Sequence, residues 1–91
     1  MSKDFYAATK PILPDVTPKN SNVKDRVGLA IFRFVVKLAG QEKALKITGM
    51  LIDYSIPQMI EYLQDFDLFV SIINSVQALL TQWEAAQNER L

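Results

Sequence analysis

From Leu68 onward, Phe69, Ile72, Ile73, Val76, Leu79, Leu80 and Trp83 recur at steps of three and four residues, a spacing that only a helix turns into one continuous apolar stripe. A strand would need alternation at every second position, and that alternation is missing. The stretch therefore reads as a long amphipathic helix reaching the late eighties, and its stripe has to be covered by other parts of the chain. Asp65-Phe66-Asp67 interrupts the pattern ahead of it and offers Asp67, or Asp65, as its N-cap. After Trp83 the polarity rises, and Glu84 to Arg90 reads as a solvated, fraying end.

The same period recurs upstream. Between Val23 and Leu38 the apolar residues Val27, Ile31, Phe34, Val35 and Leu38 mark one buried side, with Asn22 as N-cap and Ala39-Gly40 as the stop. Val23, Ala30, Phe32 and Val36 widen that side beyond what a surface helix needs. Glu42 to Asp53 forms the next helix, with apolar positions Ala44, Leu45, Ile47, Leu51 and Ile52, and Tyr54 is a short hinge. Ser55-Ile56-Pro57-Gln58 is a capping-box pattern that starts a helix to about Gln64, burying Met59, Ile60 and Leu63. No strand signal appears, so the fold class is all-α, with four helices joined by short connections. Residues 1–22 hold three of the four prolines and lack a sustained period. They are expected to be a flexible or extended leader before a helical domain over 23–91. Phe5, Tyr6, Ile12 and Leu13 make this leader less polar than a linker, which would let it lie along the folded unit, act as a recognition motif, or dock into a groove of its own domain.

Composition narrows the function classes. The 91 residues have room for one domain. They include no cysteine and no histidine, which removes disulfides, thiolate metal sites, the commonest metal ligand and the commonest general base. The carboxylates show no metal-ligand spacing; Asp65 and Asp67 lack the glycine and closing glutamate of a calcium loop and are explained by helix capping. An enzyme is not expected, nor is a cofactor or a metal. Ten basic residues balance ten acidic ones along the chain, so no basic face points to direct nucleic-acid contact. Arg33, Lys37, Asp53 and Glu61 interrupt the apolar runs before they reach the ~20 residues of a membrane span. With no signal-peptide pattern at the N-terminus, the expected location is the cytoplasm.

Gly49 is the odd residue of the chain. It sits in the middle of the helical run Lys46-Ile47-Thr48-Gly49-Met50-Leu51-Ile52-Asp53, where glycine costs about 1 kcal/mol relative to alanine. Something is expected to approach the backbone there, and either a crossing helix or a ligand satisfies that expectation. The run KITGML resembles the signature of the MLLE domain, the peptide-binding module of cytoplasmic poly(A)-binding proteins that also occurs in a HECT-type ubiquitin ligase and in fungal RNA-transport proteins. The likeness continues without insertion from Met50 through Leu63 to Trp83, and back to about Val27 with one extra residue near Gln41. It implies a compact bundle of four to five helices in a right-handed superhelical arrangement. It also implies an adaptor function, in which the domain recruits proteins bearing short linear motifs of the PAM2 type.

Within that family an extended peptide inserts a phenylalanine into one pocket and a leucine into another. Carried across by position, the resemblance implies an aromatic pocket of Phe32, Leu45, Lys46, Thr48, Gly49 and Leu51. The leucine pocket would use Met50, Leu51, Val76, Leu79, Leu80 and Trp83. Lys46 would bond peptide carbonyls or simply stand solvated. Three positions depart from the family: Leu45 replaces the usual glycine before the signature lysine, Trp83 stands where histidine is common, and Leu29 replaces a glutamate. Two alternatives stay open from the residues alone. One is a divergent structural or self-association copy whose aromatic pocket Leu45 has closed; the other is an unrelated bundle that dimerises through its last helix.

Overall fold

A computed structural model describes residues 1–89, and all the regular structure among them is helical. Helix α1 is Ser2–Thr9 and runs into a 3-10 turn, Lys10–Asp15. Helices α2 (Val23–Ala39), α3 (Gln41–Ile52), α4 (Ile56–Leu63) and α5 (Phe66–Glu89) follow. The result is an all-α bundle of five helices in which α2 packs against α1, the 3-10 turn, α3 and α5. No helix among the described residues is long and apolar enough to cross a membrane.

Each connection has a local cause. A single residue, Gly40, joins α2 to α3; its N–H closes α2 on the Val36 carbonyl at 2.9 Å and its backbone sits at φ 91°, ψ 155°. Only glycine adopts that conformation without strain. Between α3 and α4 the expected capping box is present. The Gln58 N–H donates to Ser55 Oγ at 3.3 Å, and the Ser55 N–H donates to Gln58 Oε1 at 3.1 Å. At the start of α5 the Leu68 N–H donates to Asp65 Oδ1 at 3.2 Å, so Asp65 is the cap and Asp67 lies in the first turn. Asn22 occupies the N-cap position of α2, but its side chain makes no capping bond. The preceding turn is held instead by Asn20, whose amide donates to the Asp15 carbonyl at 3.0 Å and whose Oδ1 accepts from the Asn22 N–H at 2.9 Å.

The N-terminal segment departs from the expected extended leader. Residues 2–9 are helical, and Phe5 is fully buried in the core. Its ring centroid lies 4.6 Å from that of Phe69, 5.2 Å from Phe66 and 5.3 Å from Phe34, within the range where aromatic pairs add to plain burial. The neighbouring Tyr6 hydroxyl accepts from the Phe66 N–H at 2.9 Å, satisfying one of the free donors at the start of α5. Val16 is buried as well, and Ile12 and Leu13 pack against the core. Two turns of helix with one core residue are too short to show a period, and the prolines that suggested a linker all lie beyond α1. The expected solvated end is exposed at Ala85, Ala86 and Gln87, while Arg90 falls outside the described residues.

The core runs from Phe5 through Val27, Ile31 and Phe34 of α2, Ile47 and Leu51 of α3, and Phe69 and Ile73 of α5. In α4 it takes Met59 and Leu63 as expected, but the third buried residue is Tyr62, and Ile60 is only half-buried. Tyr62 donates its hydroxyl to the Leu51 carbonyl at 2.9 Å, which ties α4 to the C-terminal turn of α3 at a carbonyl that also accepts from the Tyr54 N–H at 3.3 Å. Burial, with the Tyr54 phenol as a smaller contribution, pushes the Tyr62 phenol well above its ordinary value.

Two outcomes follow for stability. Replacing Gly40 by alanine creates no clash, since nothing lies within 4 Å of an added Cβ. The backbone alone should then cost about 1–3 kcal/mol, and thermal unfolding followed by circular dichroism should show the midpoint falling by roughly 4–8 °C per kcal/mol. An unchanged midpoint would contradict the described turn. Tyr62→Phe should cost about 1 kcal/mol at neutral pH. Tyr62 stays neutral in the folded chain while the unfolded chain ionises near pH ~10, so its contribution is complete below that pH and declines above it. Urea midpoints measured across that range should fall less steeply for Tyr62→Phe than for the native chain.

Candidate functional site

Helix α3 presents three faces, set by its 3.6-residue turn. Ala44, Ile47 and Leu51 point into the core and are fully buried. Leu45, Thr48 and Ile52, at steps of three and four, face α2 on one flank; Lys46, Gly49 and Met50 face α5 on the other. A groove runs along each flank, so α3 is the wall common to both.

The α2–α3 groove encloses about 650 Å³. The two helices run antiparallel, with Lys24 Nζ 3.0 Å from Asp53 Oδ1 at one end and the Gly40 turn at the other. Gly28, Leu29, Phe32 and Arg33 form one wall and Leu45, Thr48 and Ile52 the opposite one. A Cβ at Gly28 would meet Ile52 Cγ2 at 3.8 Å and Thr48 Cγ2 at 3.9 Å, ordinary packing distances, so the missing methyl leaves a notch in the floor. Leu29 is 82% exposed and Leu45 75% exposed. Leu45 therefore stands on the rim and does not fill the groove. The Thr48 hydroxyl is buried and has no hydrogen-bond partner, which leaves one polar atom on this flank unsatisfied.

The α3–α5 groove, about 420 Å³, is lined by Lys46, Gly49 and Met50 of α3, by Asp53 just past its end, and by Leu80 and Trp83 of α5. An added Cβ at Gly49 would have no atom within 4 Å. No helix crosses at Gly49, and the crossing-helix account of that glycine is set aside. Trp83 is 56% exposed, with its ring available along the groove. Lys46 makes no ion pair among the described residues.

The residues expected for two pockets are thus distributed differently from the sequence reading. Phe32, Leu45 and Thr48 come together in the α2–α3 groove. Lys46 and Gly49 lie around the helix from them, in the other groove, because one residue along α3 turns the side chain by about 100°. Met50, Leu80 and Trp83 meet there too. Leu51, assigned to both pockets, lines neither, since it is fully buried beneath α3. Val76 is buried on the core side of α5, and Leu79 is 60% exposed without lining either groove. Lys24, Asp25, Gly28, Leu29, Arg33 and Ile52 in the first groove, and Asp53 in the second, were missed as lining residues. The available signal was the excess width of the apolar side of α2: Leu29 and Phe32 form a second stripe beside Val27, Ile31 and Phe34.

What this arrangement can do is bind. Two shallow apolar channels lie on either side of one helix, in the volume range of about 300–1,000 Å³ typical of ligand sites. No three His, Cys, Asp or Glu side chains among the described residues are grouped to hold a metal ion. A comparison with known families matches the MLLE domain to residues 16–80, over two thirds of the chain. No individual curated protein and no solved structure gives a significant match. With the signature helix forming the wall shared by both grooves and the match covering α2, α3, α4 and α5 as far as Leu80, the chain belongs to the MLLE domain family, a family of protein-interaction domains that bind short peptide motifs.

Proposed function

We propose that this chain is a peptide-binding adaptor domain that recruits proteins carrying PAM2-like short linear motifs. In this reading the aromatic anchor of the motif enters the α2–α3 groove and a leucine anchor enters the α3–α5 groove. The recruited proteins would act in mRNA translation, turnover or transport in the cytoplasm, and the domain itself contacts no nucleic acid. The observation that carries the reading is Gly49: it weakens α3 by about 1 kcal/mol, and no part of the described chain uses the space it leaves open in the groove wall. A bare stretch of helix backbone beside the apolar side chains of Met50, Leu80 and Trp83 suits a peptide main chain passing close by.

The energetics suit reversible exchange. Each buried anchor contributes ~1.5–3 kcal/mol. Two anchors and a few hydrogen bonds, less the cost of ordering a flexible peptide, give a Kd near ~1 μM.

A second reading rests on the exposure of Leu79 and Trp83 on α5, which would also suit a structural or self-association copy of the domain. An amide chemical-shift titration with a synthetic peptide bearing leucine and phenylalanine anchors separates the two. The adaptor reading expects saturable shifts at Gly28 and Thr48 in one groove and at Gly49, Met50 and the Trp83 indole in the other. Because Leu45 stands on the rim, Leu45→Gly should alter the affinity only a few-fold. A response confined to Leu45→Gly, or none from either protein, would favour the second reading, which sedimentation would then test as a concentration-dependent mass.

A further inference from the structure

An exposed leucine of α5 is used by neither groove. Ser75 and Trp83 stand one turn before and one turn after Leu79, so the three form a ridge of residues four apart on the solvent side of the helix. Trp83 lies at the edge of that side, where it also lines the α3–α5 groove. The surface around Leu79 carries no charge. From Leu68 to Trp83, a helical length of about 24 Å, α5 has no acidic or basic residue, and the exposed neighbours of Leu79 are Ser71, Asn74, Ala78 and Gln82. The solvent side of α2, by contrast, carries Arg26, Arg33 and Lys37. Bulky apolar side chains exposed within a charge-free patch have the composition of an interface centre.

We propose that α5 pairs antiparallel with α5 of a second copy of this chain, about a two-fold axis beside Leu79, and that this pairing competes with a leucine-anchored peptide for Trp83. The occupant follows from charge. A neutral face offers a foreign partner nothing to select by charge, whereas across a two-fold axis it meets its own copy with no like charges opposed. The orientation follows from size. Antiparallel pairing about Leu79 seats each Trp83 over the partner's Ser75, a large side chain on a small one, and sets the two helix dipoles in opposite directions. Parallel pairing would put Trp83 against Trp83. The α2–α3 groove lies on the far flank of α3 and stays open in the pair. The pairing goes beyond the adaptor reading and stands without it; the competition rests on that reading.

Sedimentation equilibrium of the whole chain tests the pairing. The weight-average mass should rise with concentration from one chain to two and stay insensitive to salt, since the face makes no ion pair. Leu79→Glu, which sets two carboxylates beside the axis, should hold the mass at one chain with its circular dichroism unchanged. The chain has no cysteine, so introduced thiols report the orientation. On oxidation Leu79→Cys should cross-link, while Ser75→Cys, about 12 Å along the axis from its copy, should not. Adding a synthetic peptide with leucine and phenylalanine anchors should return the native chain to one-chain mass. One-chain mass at every concentration, or a dimer that survives Leu79→Glu, would overturn the pairing, and efficient cross-linking at Ser75 would overturn its antiparallel orientation. A dimer that persists while the peptide shifts the Gly49 and Met50 amides would overturn the shared use of Trp83. A peptide that binds neither the native chain nor Leu79→Glu would remove the adaptor reading, and the competition with it, and leave the pairing standing.

Discussion

The one-residue turn at Gly40 is the constraint on which the grooved half of the structure depends. With φ at 91° it reverses the chain so abruptly that α3 returns along α2, bringing Lys24 to Asp53 and Gly28 to Ile52 and Thr48. A longer loop would leave the two helices free to change angle, and the width of the groove between them would no longer be set. The turn also fixes which side of α3 faces the core. Once Ala44, Ile47 and Leu51 are committed inward, the remaining two flanks must line grooves or face solvent.

The second groove depends on the far end of the chain being held in place, and here the N-terminus contributes. Phe5 inserts among Phe34, Phe66 and Phe69, and Tyr6 accepts a hydrogen bond from the first residue of α5. Together with the Asp65 cap, these contacts fix where α5 begins and the direction in which it leaves the core. Leu80 and Trp83, four turns or more beyond, then reach the flank of α3. In a unit of this size, where a core has little stability to spare, a buried phenylalanine contributed by an eight-residue helix is a substantial part of the whole.

How much of this was legible in the sequence follows from the length of each signal. Helices α2 to α5 could be read to within a few residues, because each carries several apolar positions at regular steps and a recognisable stop or cap, such as Gly40 or Ser55 with Gln58. Helix α1 could not, since one buried apolar residue, Phe5, defines no period. The Tyr62 hydroxyl bond to Leu51 was equally invisible, because a tyrosine beside Leu63 looks like any half-buried aromatic until α3 ends above it. For the candidate site, the family signature lies on the helix that walls both grooves, but a contiguous motif on a helix points in every direction. Splitting Thr48 from Gly49, and both from Leu51, requires knowing which face is buried, and that is decided by α2 and α5.

The central claim is that α3 keeps a glycine at position 49 for a ligand and not for the fold. It is tested most directly by measuring chemical-denaturation stability and affinity for a leucine–phenylalanine peptide on the same Gly49→Ala protein. Open space around an added Cβ and the helix propensity of alanine give a gain of about 1 kcal/mol in stability. A methyl group in the wall of the groove should weaken the peptide by about tenfold or more, in line with the ~1–3 kcal/mol cost of overpacking a close contact. A loss of stability, or an affinity left unchanged, would contradict the account.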